Sequence, residues 1–230
     1  MIAITHYDVT PPEHICLQII NMAIEYYTDL SLSGTQPSNP LYPVHQAVMG
    51  VEMSTYLQSM GLFADRPIKL IVATDSEEPA VVLGFLKYLP LKGMEDACGV
   101  TYMAVRNGHR RRGIARALME NLLLRRPYTE LSCFVDKVPF YERLGLQVIG
   151  VRDTQVRMCT RDRSAVGVMA VLDTSAMYTS LPVRIAASTQ REKHGDKTMR
   201  DAERKFHREV ERKTREAKAF FDARTAAKNQ

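Results

Sequence analysis

The chain has 230 residues, 45% of them hydrophobic and 25% charged, with a net charge of +5 and a pI near 9.0. That balance suits a globular chain with a real core and excludes a low-complexity or disordered one. No apolar run is long enough to span a bilayer, and the N-terminal MIAITHYDVTPPEH lacks the basic and apolar regions of a secretory signal.

Ile2–Tyr7 alternates as a strand does. Pro11 and Pro12 introduce a helical pattern through Ile15, Ile19, Ile20, Met22, Ala23 and Tyr26, because proline fits a first helical turn. Residues 31–43 form a Gly-, Ser- and Pro-rich loop, and a second helix is expected from Val44 to Met60, ended by Gly61. Strands follow over Leu70–Thr74, Val81–Leu89 and Gly99–Val105. An arginine-rich turn then leads into a helix with Ile114, Leu118 and Leu122 on one face. Glu130–Val135 reads as a strand, Val138–Leu144 as a short helix closed by Gly145, and Leu146–Val151 with Gln155–Thr160 as a last strand pair. In the segment 164–189, Ala165–Leu172 fits a strand or a packed helix equally well.

Residues 196–230 differ in kind. Residues 190–230 hold thirteen Lys or Arg against eight Asp or Glu, so they carry the whole net charge. Met199, Ala202, Phe206, Val210, Ala217 and Phe220 recur at helical spacing, with Lys213 interrupting the stripe. A helix of about 30 residues reaches about 45 Å, too long to lie wholly on a small domain. The stripe therefore predicts docking on a protein partner or self-association as a coiled coil, a solvated helix being the alternative. Its interspersed acids argue against a nucleic-acid arm. Cys16, Cys98, Cys133 and Cys159 have neither metal-ligand nor redox spacing, so no metal is expected and a reducing, cytoplasmic setting is.

The most informative stretch is Met103–Leu118, MAVRNGHRRRGIARAL. It hands a strand over to a helix through a basic, glycine-containing turn, where helical N–H groups without partners and the helix dipole favour an anion. Arg110, Gly113 and Ala115 fill the spacing Arg/Gln-x-x-Gly-x-Gly/Ala, and VPFYERLG follows downstream with Phe140, Tyr141, Arg143 and Gly145. These motifs resemble those of the GNAT superfamily, the Gcn5-related N-acetyltransferases. The resemblance implies an α/β fold over residues 1–162, a mixed central sheet flanked by helices. Residues 163–195 are then a connecting segment, and 196–230 a long charged helix foreign to the family.

It also implies acetyl-CoA as co-substrate, with no metal and no membrane. Met103, Ala104 and Val105 would line the pantetheine arm and offer a main-chain N–H to the thioester oxygen. Arg110, Arg111, Arg112, Gly113, Ile114, Ala115 and Arg116 would hold the phosphates. Tyr141 is the implied catalytic acid. Histone-type relatives carry a basic glutamate where this chain has Gly99, and His45 is a poor substitute, so no base is assigned. Asn107, Phe134 and Leu146 depart from the family pattern. The expected activity is transfer of an acetyl group from an acyl-CoA to an unidentified amine by direct attack. The alternative is a non-catalytic scaffold assembled through its tail, as in a virion-associated protein.

Overall fold

The structure, a computed structural model, describes residues 1–228; residues 229 and 230 of the expected tail lie outside the described residues. The chain forms β1 (Ile2–Tyr7), α1 (Glu13–Glu25), α2 (Tyr27–Leu30), α3 (Tyr42–Gln58), β2 (Lys69–Asp75), β3 (Val82–Leu91) and β4 (Met94–Val105). After a basic turn come α4 (Ile114–Arg125), β5 (Tyr128–Cys133), α5 (Val138–Glu142), β6 (Gln147–Arg152), β7 (Gln155–Cys159) and α6 (Leu181–Lys228). Seven strands make one sheet in the order β1-β2-β3-β4-β5-β7-β6. Only β4 and β5 are parallel; every other pairing is antiparallel.

Both faces of this sheet are covered, which explains why β2 and β3 are buried along nearly their whole length rather than at alternate positions. On one face Ile15, Ile19, Met53, Tyr56 and Leu57 of α1 and α3 pack on Leu70, Val72, Phe85 and Leu89. On the other, Ile114, Leu118 and Leu122 of α4 pack on Ile71, Leu83 and Leu86.

The pairing of β4 positions the site. Lys87 pairs with Tyr102 but Tyr88 pairs with Val100, so Thr101 is an extra residue that bulges β4. Beside it, β5 pairs with β4 only over Ala97–Val100. Past Val100 the two strands part, and the edge of β4 from Thr101 to Val105 has no strand on the β5 side.

Three expectations are corrected. Ala165–Leu172 is neither strand nor helix; it crosses the molecule extended, touching the sheet through one bridge between Lys92 and Val168. Helix begins at Leu181 rather than 196, broken once at Gly195, where φ 75° and ψ 157° leave the helical region. Most consequentially, the tail is not too long for its own domain. Met199, Ala202 and Ala217 are buried in it, and Phe206, Lys213, Phe220 and Arg224 fall on the same inward stripe.

Asn39 Nδ2 donates to Ala202 O at 3.3 Å, and Lys213 Nζ donates to Gly34 O at 3.4 Å. Arg224 pairs with Glu142 of α5. The stripe that predicted a partner or coiled-coil pairing is therefore occupied by the chain itself. Lys213 belongs to it: its ammonium lies 4.2 Å above the ring of Phe134, the residue that departs from the family pattern.

Candidate active site

Where β4 and β5 part, a cavity of about 1190 Å³ opens, roomy enough for a large cofactor-like molecule and a second reactant. One end is the turn between β4 and α4. Asn107 fastens it, its N–H donating to Tyr26 Oη at 3.0 Å and its side chain to Glu25 at 3.1 Å. The residue replacing the family's proline thus anchors the turn to α1. Arg111 and Gly113 then take positive φ, 64° and 80°, and fold the chain back into α4. Gly113 caps α4 in the left-handed conformation that suits glycine, and nothing lies within 4 Å of where a Cβ would stand. Among the described residues no acceptor meets the backbone N–H groups of residues 111–116. Six consecutive donors at a helix start, beside arginines and open space, form an anion cradle.

The expected site residues converge with one exception. Met103, Ala104, Val105, Arg110, Arg111, Gly113, Ile114, Ala115, Arg116 and Tyr141 all line this cavity. Arg112 does not. Arg110 has partly structural work: its Nε donates to Val105 O at 3.2 Å, its guanidinium lies 3.6 Å from Asp29, and it stacks 4.8 Å over Tyr26. Tyr141 sits on α5 with its ring edge-on to Phe140 at 5.0 Å, and no group among the described residues bonds its hydroxyl. Burial, then the nearby Cys133 thiol, push its phenol up, so it stays protonated across the neutral range.

The opposite end holds groups that the motifs did not reveal. Glu52 of α3 lines the cavity and accepts a 2.6 Å hydrogen bond from Tyr102 Oη. Burial pushes its carboxyl up, while that hydrogen bond and the Lys87 charge pull it down. His45, Met49, Glu52 and Tyr56 recur every three or four residues, so one helical face faces the cavity; that spacing was available in the sequence. His45 is buried, held at Nδ1 by Thr35 Oγ1 at 3.1 Å, and burial keeps its imidazole low and hence neutral. At Gly99, where histone-type relatives carry a glutamate, a Cβ would collide with the Met169 side chain. All four cysteines are free thiols, and among the described residues no cluster of three metal-ligating side chains forms.

Lys87 is fully buried on β3, its Nζ 2.9 Å from the Tyr56 ring centre and 5.1 Å from that of Tyr102, with no hydrogen-bond partner. Desolvation holds its amine well below the usual lysine range, with Glu52 opposing. In the unfolded chain the amine stays charged to about pH 10.4, so folding releases a proton between the lowered value and that one. This lysine's contribution to stability therefore rises with pH from its lowered folded-state value toward about 10. Lys87→Met is expected to raise unfolding free energy at pH 7 by about 1–3 kcal/mol and to flatten that rise, measured by urea denaturation across pH. A loss of stability would instead make the ammonium an anchor of Glu52.

Residues 67–148 match the family model described as an acetyltransferase (GNAT) domain. The fold is that of solved structures with little sequence in common. The PaiA N-acetyltransferase of Thermoplasma acidophilum, in complex with coenzyme A, is 12% identical, with a TM-score of 0.51 over 69% of this chain and 99% of that one. An acyl-CoA N-acyltransferase of Pseudomonas aeruginosa is 14% identical, with a TM-score of 0.50 over 70% and 100%. No curated protein sequence matches the chain. Residues 67–148 thus match a GNAT acetyltransferase domain, and the long C-terminal helix lies beyond the matched stretch.

Proposed function

We propose that the chain transfers an acetyl group from acetyl-CoA to an amine by direct attack. The observation that carries this reading is the row of unaccepted N–H groups at residues 111–116, at the mouth of the cavity between the parted strands. A pyrophosphate fits such a cradle, and Arg111 and Arg116 add positive charge beside it. The bound coenzyme of the Thermoplasma relative supports the assignment. The pantetheine arm would then run along Met103–Val105, whose free strand edge offers main-chain N–H groups to the thioester oxygen as negative charge develops there. Tyr141, lining the same cavity, would give its proton to the departing thiolate. No covalent enzyme intermediate is needed, because the thioester is already activated. The scaffold alternative needs the tail for assembly, and the inward stripe of α6 is taken up by this chain's own domain.

Calorimetry with acetyl-CoA and the whole chain tests the reading. Gly113→Glu is expected to weaken binding by at least about tenfold, since it strains a positive φ by about 1–2 kcal/mol and sets a carboxylate against phosphates. Absence of binding to the unmodified protein, or equal binding by the folded variant, would sink it.

A further inference from the structure

Three features of the acceptor half bear on what enters it. First, of the carboxylates that line the cavity among the described residues, Asp29 is paired with Arg110 and Lys137 and Glu130 with Arg157, whereas Glu52 is bonded by the Tyr102 hydroxyl and has no ion pair. Around it stand Tyr56 on α3 and Tyr178 on the turn before α6, which feel its charge, and Lys87 on β3, which opposes it. Second, the polar groups linked to His45 beside it are neutral. Tyr27 Oη, Ser33 Oγ, Thr35 Oγ1 and His45 Nδ1 form a chain of hydrogen bonds of 2.9, 3.1 and 3.1 Å. Third, several walls come from outside the matched family stretch. Met169 fills the space over Gly99, Leu172 N–H donates to Tyr56 Oη at 3.1 Å, and Phe206 of α6 stacks on His45 at 5.0 Å.

A polypeptide acceptor needs an open groove on either side of the reacting nitrogen. Here α6 is fastened across the 31–41 loop by the Asn39 and Lys213 contacts, and residues 163–174 cross the other flank. An isolated carboxylate among aromatic rings is a site for one ammonium, attracted by charge and by the ring faces. A second cationic centre would find only carboxylates that are already paired, Asp29 and Glu130.

Resting on the acetyltransferase reading, we infer that the acceptor is a small primary amine whose ammonium is its only charge, seated at Glu52 in a chamber that the C-terminal extension walls off. Glu52 takes one ammonium proton and passes it to water. The freed nitrogen lone pair forms the N–C bond as the C–S bond breaks. The second proton leaves the nitrogen as the amide forms, and balances the one that Tyr141 gives to the thiolate. The net products are amide, thiol and one released proton.

The test is release of free thiol by the whole chain with acetyl-CoA and three probes: phenethylamine, a lysine-containing peptide blocked at its N-terminus, and a lysine-free peptide with a free N-terminus. Phenethylamine is expected to exceed both peptides in kcat/KM by at least about 100-fold, since the peptides cannot seat without displacing α6. Glu52→Gln should lower its kcat/KM by about 10–100-fold and remove the acidic limb of the pH profile, with acetyl-CoA binding by calorimetry intact. Phe206→Ala should raise KM for phenethylamine by about tenfold, more than it lowers kcat, and narrow the gap to the peptides. A preference for either peptide, no turnover of any probe despite acetyl-CoA binding, or an unchanged pH profile in Glu52→Gln would overturn the inference while leaving the acetyltransferase reading standing. Failure of the protein to bind acetyl-CoA would overturn both.

Discussion

Replacing Tyr141 by phenylalanine is expected to lower kcat for acetyl transfer by about 10²–10³-fold, with acetyl-CoA affinity nearly unchanged. The hydroxyl is the one part of this side chain with no partner in the protein, so its removal costs the fold little; the ring keeps its edge contact with Phe140. What is lost is a donor that burial keeps protonated. A phenol in this state does not run out of protons in the neutral range, so the wild-type rate should show no alkaline decline attributable to it below about pH 10. Steady-state kinetics with thiol detection reads both parts. A kcat within twofold of wild type would reduce Tyr141 to a packing residue.

The second large effect concerns α6. Ala217 is fully buried, within the cluster that includes Val138 and Leu146, and Phe220 packs beside it. Ala217→Glu forces a longer, charged side chain into a closed apolar space, with Lys213 one turn away already committed to Gly34, a cost of about 3–5 kcal/mol. The helix is expected to lift away, taking Lys213 from Gly34 and Arg224 from Glu142. Limited proteolysis should then cut within 196–228 far faster than in wild type, and turnover should fall. Ala219→Glu, the same change at an exposed position two residues on, should stay within about 0.5 kcal/mol of wild type. Equal behaviour of the two variants would mean that α6 is undocked in solution.

What the sequence disclosed and what it concealed divide along contact range. The anion cradle is built from consecutive residues, Arg111 to Arg116, so its spacing was legible, down to the glycine at positive φ. The alternation of elements was legible for the same reason, though β4 starts five residues before the expected Gly99 and β5 ends two before the expected Val135. The acceptor half depends on pairs far apart in the chain. Nothing local in Phe206 says that it stacks on His45, and nothing local in Met169 says that it fills the space above Gly99. The tail's amphipathic stripe was visible, but a stripe states that a helix docks, not on what. Phe134 departs from the family pattern in sequence, and its ring serves as the seat of the Lys213 ammonium, a pairing 79 residues apart that no local spacing encodes.

The span of those late contacts has a kinetic consequence. Lys213 meets Gly34 across 179 residues, Ala202 meets Asn39 across 163, and Leu172 meets Tyr56 across 116. Contacts of such separation demand the costliest chain closure and form after the local hairpins and helices are in place. The turn before α4 is fastened across a shorter span, 81 residues from Asn107 to Tyr26, so its closure costs less than that of those walls. On refolding, the wall supplied by the C-terminal segment is therefore expected to be the last part of the cavity to close.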